Sequence, residues 1–339
     1  MKTKITLILA LFISLGFINA QDFTIDGVNY KITDSTNLIV EVDGNSCYNG
    51  ELNLQSTVEN NGISYAVSKI GIGAFNGCTT ITKITIPNEV NVIGENAFWG
   101  CSSLVEVILP ESLSAIYNST FRNCTNLTTI NLPNSITQMG SSVFWGCTNL
   151  TTITLPSSIE ILKDYLFFNS GLTSISLPDS VTIIQNDVFN SCSNLASISM
   201  SNSVDFIGDS AFQSCTSLTS ISLPTSLEKI NESSFEASGL TSIVIPNLVE
   251  EIELFAFRDC RNLTNVTMGN SVTSVGISSF QRCIKLETVS LSNSLEEIKN
   301  RAFQECYKLT DIVIPNTVHT IADYAFHKCY KLENVTLSN

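Results

Sequence analysis

The chain has 339 residues, 43% of them hydrophobic and 14% charged, with 17 basic against 31 acidic side chains and a formal net charge of −14. An acidic surface of this kind repels phosphate backbones, which argues against nucleic acid as a partner. The two histidines, His319 and His327, lie near one end with no second ligand type at zinc-like spacing, so neither a metal nor another cofactor is expected.

Met1 to Ala20 carries Lys2 and Lys4, then an apolar run from Ile5 to Ile13, and ends on the small Ala20. This order reads as a secretory signal peptide over residues 1–20, with a retained anchor as the alternative. The run is short for a bilayer, so no membrane span is expected after cleavage, and loss of the two lysines would take the charge from −14 to −16. Residues 21–66 follow as a β-rich N-terminal cap. Its alternating stretches Phe23–Ile25, Val28–Ile32 and Leu38–Val42 include Asp26-Gly27 between the first two, a two-residue hairpin signal.

From residue 67 to 339 one phrase recurs. Its marker is phenylalanine at 75, 98, 121, 144, 167, 189, 212, 235, 257, 280, 303 and 326, spaced by 23 residues except for two steps of 22. Both short steps fall where Cys-x-x-Leu becomes Ser170-Gly171-Leu172 or Ser238-Gly239-Leu240, one residue lost from one loop. Units of this length cannot bury an apolar face alone and must stack. In Leu-x-x-Ile-x-Leu, for example Leu127, Ile130 and Leu132, the last two residues share a strand face, which gives one parallel strand per unit. Proline often ends it, as at Pro133 and Pro224. The return path is too short for a typical helix and is expected as a tight extended or single-turn segment.

The full phrase, Leu-x-x-Ile-x-Leu-Pro-x-Ser-Val-x-x-Ile-Gly-x-x-Ala-Phe-x-x-Cys, resembles the BspA-like leucine-rich-repeat family over about four fifths of the chain. The resemblance implies a mainly β, right-handed solenoid with a parallel sheet of about twelve strands. It also implies a secreted or cell-surface module that binds host or neighbour macromolecules, above all by adhesion to extracellular-matrix proteins, and it supplies no catalytic residues; the partner expected for this chain is an extracellular protein or polysaccharide. A structural surface component without a specific ligand is the alternative.

Outward strand positions are short and polar, as at Thr152 and Thr154 or Ser197 and Ser199; they suit either a crowded sheet or a face that hydrogen-bonds another surface. Ten cysteines stand three residues after the marker phenylalanine, and a ladder of buried free thiols is expected rather than neighbour-to-neighbour disulfides. Cys47, outside the ladder, is expected as an accessible thiol.

Two features exceed this background. The residue after the marker is usually polar but is Trp99, Trp145 and Phe168 in three early units, either an exposed aromatic patch or a half-buried position open to both classes. Lys285, Lys308 and Lys331 stand one unit apart with Tyr307 and Tyr330 beside them, either solubilising charge or a stripe for an acidic partner. The last segment, Leu332 to Asn339, is a strand phrase with no cover after it, so weak self-association through that edge is expected.

Overall fold

The computed structural model describes residues 22–338; the leader assigned to residues 1–20 lies outside them. Strands, turns and no helix make up these residues. The chain begins with β1 (Phe23–Ile25), β2 (Val28–Asp34), β3 (Ile39–Val42), β4 (Gly50–Asn53), β5 (Thr57–Asn60) and β6 (Ile63–Ile70). β1 and β2 form the hairpin that Asp26-Gly27 encodes, both turn residues having positive φ. β2 pairs antiparallel with β3, and β3 runs parallel to β6.

Two parallel sheets then start from this cap. β4 pairs with β7 (Ile81–Thr85) to begin the first, and β6 pairs with β8 (Val92–Ile93) to begin the second. Most later units repeat the pair: a longer strand such as Ser174–Ser176 in the first sheet and a two-residue strand such as Ile183–Ile184 in the second. The expected single strand per unit is therefore incomplete, because Val-x-x-Ile on the return path also makes a ladder. The sequence hides it because only two residues per unit take part.

The corner that joins the second sheet to the next unit is hydrogen-bonded too. Ser210, Phe212 and Ser214 N–H groups donate to the carbonyls of Glu232, Ser234 and Glu236 at 2.9, 2.7 and 2.8 Å. Left-handed residues bracket the phenylalanine, here Ser210 (φ 56°) and Ser214 (φ 60°), so that alternate amides aim along the stack. Eleven marker phenylalanines, Phe75 to Phe303, are fully buried, and Phe326 is partly buried. Their rings stack face to face through the molecule, with centroids 5.1 Å apart for Phe257 and Phe280 and 5.9 Å for Phe121 and Phe144.

The two 22-residue units do more than shorten a loop. No strand is formed at 152–155 or 220–223, the segments that stack against the short units. Gly171 and Gly239 bring backbone against backbone there. A Cβ on Gly171 would lie 2.0 Å from the Thr148 oxygen, and one on Gly239 would lie 2.2 Å from the Thr216 oxygen. Only glycine fits this corner.

The cysteines depart from expectation at one end. Cys47 is not a free thiol: it forms a disulfide with Cys78, the first ladder cysteine, and so ties the cap to the first unit. The loop between β3 and β4 folds back over that corner, with Ser46 N–H donating to the Ala74 carbonyl at 2.9 Å. The other nine cysteines are free, eight of them buried and Cys329 half-buried.

Candidate functional site

The position after each marker phenylalanine follows the corner's second half, so its side chains line up at one rung per unit. In the early units they form a half-buried row, Trp99, Arg122, Trp145 and Phe168, of which Trp99 is the most open at 37% exposed. Arg122 is the residue sequence reasoning left among the polar background. Its guanidinium sits 3.9 Å from the centroid of the Trp145 ring and 5.4 Å from that of Trp99, filling the gap between the two tryptophans. Trp145 packs in turn on Phe168 at 4.4 Å and on Tyr165 at 5.1 Å. Tyr165 reaches it from a left-handed corner position, φ 60°. The signal for Arg122 was its spacing, one unit from each tryptophan.

Farther along, the same row becomes polar. The Asn190 amide donates to Gln213 Oε1 at 2.7 Å, the Gln213 amide to Glu236 Oε2 at 2.8 Å, and Arg258 Nε to Glu236 Oε1 at 2.7 Å. Asn190 also donates to Asp187, whose carboxyl burial holds above the usual carboxylate range. This stretch satisfies its own hydrogen bonds and leaves little for a ligand. The aromatic stretch presents ring faces instead.

At the other end, Lys285, Lys308 and Lys331 are all exposed. Lys285 Nζ donates to Asn262 Oδ1 at 3.0 Å. The basic residues around them are already matched: Arg261 and Arg282 both reach Asp259, and Lys328 lies 3.0 Å from Glu305. Burial alone would raise Asp259, but hydrogen bonds from Arg282 and Arg261 outweigh it and hold the carboxyl below its ordinary value. Tyr307 and Tyr330 stack at 5.5 Å with planes 17° apart, and Tyr307 also donates to Glu305 Oε2 at 3.0 Å. The two candidate surfaces are not brought together; they lie at different ends of the stack.

A third feature has no counterpart in the sequence reading. On the outer side of the second sheet a depression of about 440 Å³ is lined by Ile116, Tyr117, Gln138, Gly140, Ile161 and Lys163 among others. Glycines at 94 and 140 stand one unit away from Tyr117 on either side, where a Cβ would meet the backbone N of Ile72 at 2.7 Å and of Asn118 at 2.6 Å. The depression was missed because the return path was expected as a tight extended or single-turn segment, not as a second sheet with an outer face. Among the described residues no group of three or more His, Cys, Asp or Glu could hold a metal ion, and no helix is long and apolar enough to cross a membrane.

Solved structures share this architecture. A leucine-rich repeat protein from Bacteroides ovatus ATCC 8483 matches with 31% identity and a TM-score of 0.78, over 94% of this chain and 90% of that one. A leucine rich cell surface protein from Faecalibacterium prausnitzii A2-165 matches with 24% identity and a TM-score of 0.58, over 94% and 95%. The pneumococcal vaccine antigen PcpA matches with 20% identity and a TM-score of 0.60, over 94% and 82%. No curated protein matches. The description BspA type leucine rich repeat region matches residues 44–172, 140–264 and 228–339, and with the stacked corners and paired sheets this places the chain in the BspA-type leucine-rich-repeat family.

Proposed function

We propose that the chain is a secreted or surface-associated module that binds an extracellular protein through the row Trp99, Arg122, Trp145 and Phe168. The observation that carries this reading is the stack itself, two tryptophans held apart by a guanidinium on a surface otherwise rich in serine and threonine. Tryptophan and arginine on a rigid scaffold are the residue types that dominate binding energy at protein interfaces, and a row fixed by ring stacking loses little entropy on docking. The leader sequence and the Cys47–Cys78 bond support an oxidising, extracytoplasmic location. Nothing at this row has the geometry of a nucleophile with its base, so recognition rather than catalysis is the proposed activity.

The test is surface binding of residues 21–339 to a panel of purified extracellular-matrix proteins. Saturable binding that survives moderate salt and falls by roughly tenfold or more in Trp145→Ala is the expected result, since a hot-spot truncation costs about 2 kcal/mol. Wild-type affinity in both Trp145→Ala and Trp99→Ala, with the fold intact, would discard the row as the contact. Weak self-association through Asn334–Leu337 is a second part of the proposal, supported by the exposure of Val335 and Leu337 on that strand. Light scattering over a hundredfold dilution tests it, and a strictly constant mass rejects it.

A further inference from the structure

Near the C-terminal end of this acidic protein three unpaired lysines stand in one line, while the basic residues around them are matched. Arg261 and Arg282 share Asp259, and Lys328 is held by Glu305. Among the described residues no carboxylate forms an ion pair with Lys285, Lys308 or Lys331. Those three lysines occupy one repeat position in successive units, so the two steps between first and last span about 10 Å at the usual strand spacing. Like charges on adjacent rungs repel, and no ion pair among the described residues relieves them.

Two aromatic residues, Tyr307 and Tyr330, directly precede Lys308 and Lys331 in the chain. Tyr330 is 75% exposed, its ring lying on that of Tyr307. Tyr307 spends its hydroxyl on Glu305. An open ring face next to a row of ammonium groups has two complementary demands: an apolar patch that can lie flat, and anions that repeat along a line at about one strand spacing. A pyranose with a carboxylate supplies both, because its C–H face is apolar and each sugar in a uronic-acid chain carries one negative charge. An acidic peptide supplies the charge without the flat face.

We propose that Lys285, Lys308, Lys331 and Tyr330 form a binding strip for a linear anionic polysaccharide. The chain lies along the solenoid axis, its carboxylates on successive lysines and one sugar face on the Tyr330 ring. This strip is separate from the aromatic row at the other end of the stack and does not depend on it. The body's negative charge repels anions elsewhere, so the ligand is guided to this edge.

Binding of residues 21–339 to polygalacturonate, with dextran as the neutral and polyaspartate as the peptide control, tests the proposal. Polygalacturonate should bind, dextran should not, and polyaspartate should bind more weakly. Affinity for polygalacturonate should fall roughly twentyfold between about 50 and 200 mM salt, as release of three counterions from a single-stranded polyanion would give. The triple variant Lys285→Glu, Lys308→Glu, Lys331→Glu should lose the binding with its melting temperature nearly unchanged, because exposed charges contribute little to folding. Tyr330→Ala should weaken binding while leaving the salt slope as it was. The strip is overturned if polygalacturonate fails to bind at low salt or if the triple variant retains it. Equal binding of polyaspartate, or of dextran, overturns the choice of an anionic sugar chain. Trp145→Ala should leave polygalacturonate binding intact, so failure of the protein-binding row and failure of this strip give different results.

Discussion

The thiol of Cys215 donates to the carbonyl oxygen of Phe189, 3.1 Å away in the preceding unit, and that same oxygen also accepts the Cys192 N–H at 3.1 Å. The relationship repeats along the ladder, for example from Cys124 to Phe98 and from Cys283 to Phe257. Each cysteine thus satisfies the second lone pair of a buried carbonyl while filling a small apolar space. The stacked thiols point at the carbonyl of the unit before, a geometry that disfavours bridging between neighbours.

The first prediction is a count. Under denaturing, non-reducing conditions nine thiols should react with an alkylating reagent, matching the nine free cysteines, and two more should appear only after reduction. In the native state the eight buried ones should be protected. Finding fewer than nine under denaturation would mean that ladder cysteines are bridged.

Alkaline pH should unfold the protein through the same thiols. Burial pushes Cys101, Cys147 and Cys260 up to about 12 and Cys192 up to about 11, with Cys124, Cys215 and Cys283 raised as well. A raised folded value means that the unfolded chain releases its protons first. The stabilisation is therefore complete below about pH 8.5 and is lost as pH climbs toward 11–12, by about 1.4 kcal/mol per pH unit for each thiol. Denaturant midpoints measured from pH 7 to 10.5 should fall increasingly steeply above 8.5. Cys147→Ala should flatten that slope by close to one proton.

Much of this architecture was legible in the residues. The phenylalanine period fixed the stacking, and Leu-x-x-Ile-x-Leu gave the first sheet, because apolar spacing directly reflects which side chains face inward. The second sheet was not legible, since a two-residue strand carries too little alternation to distinguish from a turn. Nor was the Cys47–Cys78 bond, because a lone cysteine in the cap says nothing of which corner it reaches across the fold. At the aromatic row the sequence marked Trp99, Trp145 and Phe168, but Arg122 looked like an ordinary polar residue until the stack set its guanidinium between two indoles.

The corners make opposite predictions for glycine and alanine. Ala237 adopts φ 56°, a left-handed conformation that costs an L-residue roughly 1 kcal/mol or more, so Ala237→Gly should raise stability by about 0.5–1 kcal/mol. Gly171→Ala should lower it by about 3 kcal/mol, because the new Cβ would meet the Thr148 carbonyl at 2.0 Å and backbone on both sides resists displacement. Urea unfolding of the two variants checks the pair. Equal signs would refute the corner geometry.

Two serines define the last prediction. Ser234 and Ser279 stand immediately before marker phenylalanines, where Ala97, Ala211, Ala256 and Ala302 occupy the same place in other units. Both are fully buried, and neither hydroxyl has a hydrogen-bond partner among the described residues. Thr120, at the same position, escapes this by donating to the Tyr117 carbonyl at 2.8 Å. A buried hydroxyl without a partner costs its desolvation and returns nothing, whereas alanine fits the space the repeat already provides. Ser234→Ala and Ser279→Ala should therefore each stabilise the fold by about 1 kcal/mol, and the gains should add because the residues lie two units apart. Thr120→Ala should not stabilise, since it discards a made bond. Thermal melts of the three variants and the serine double variant decide it: loss of stability in either serine variant would show that its hydroxyl has a partner after all, such as a trapped water.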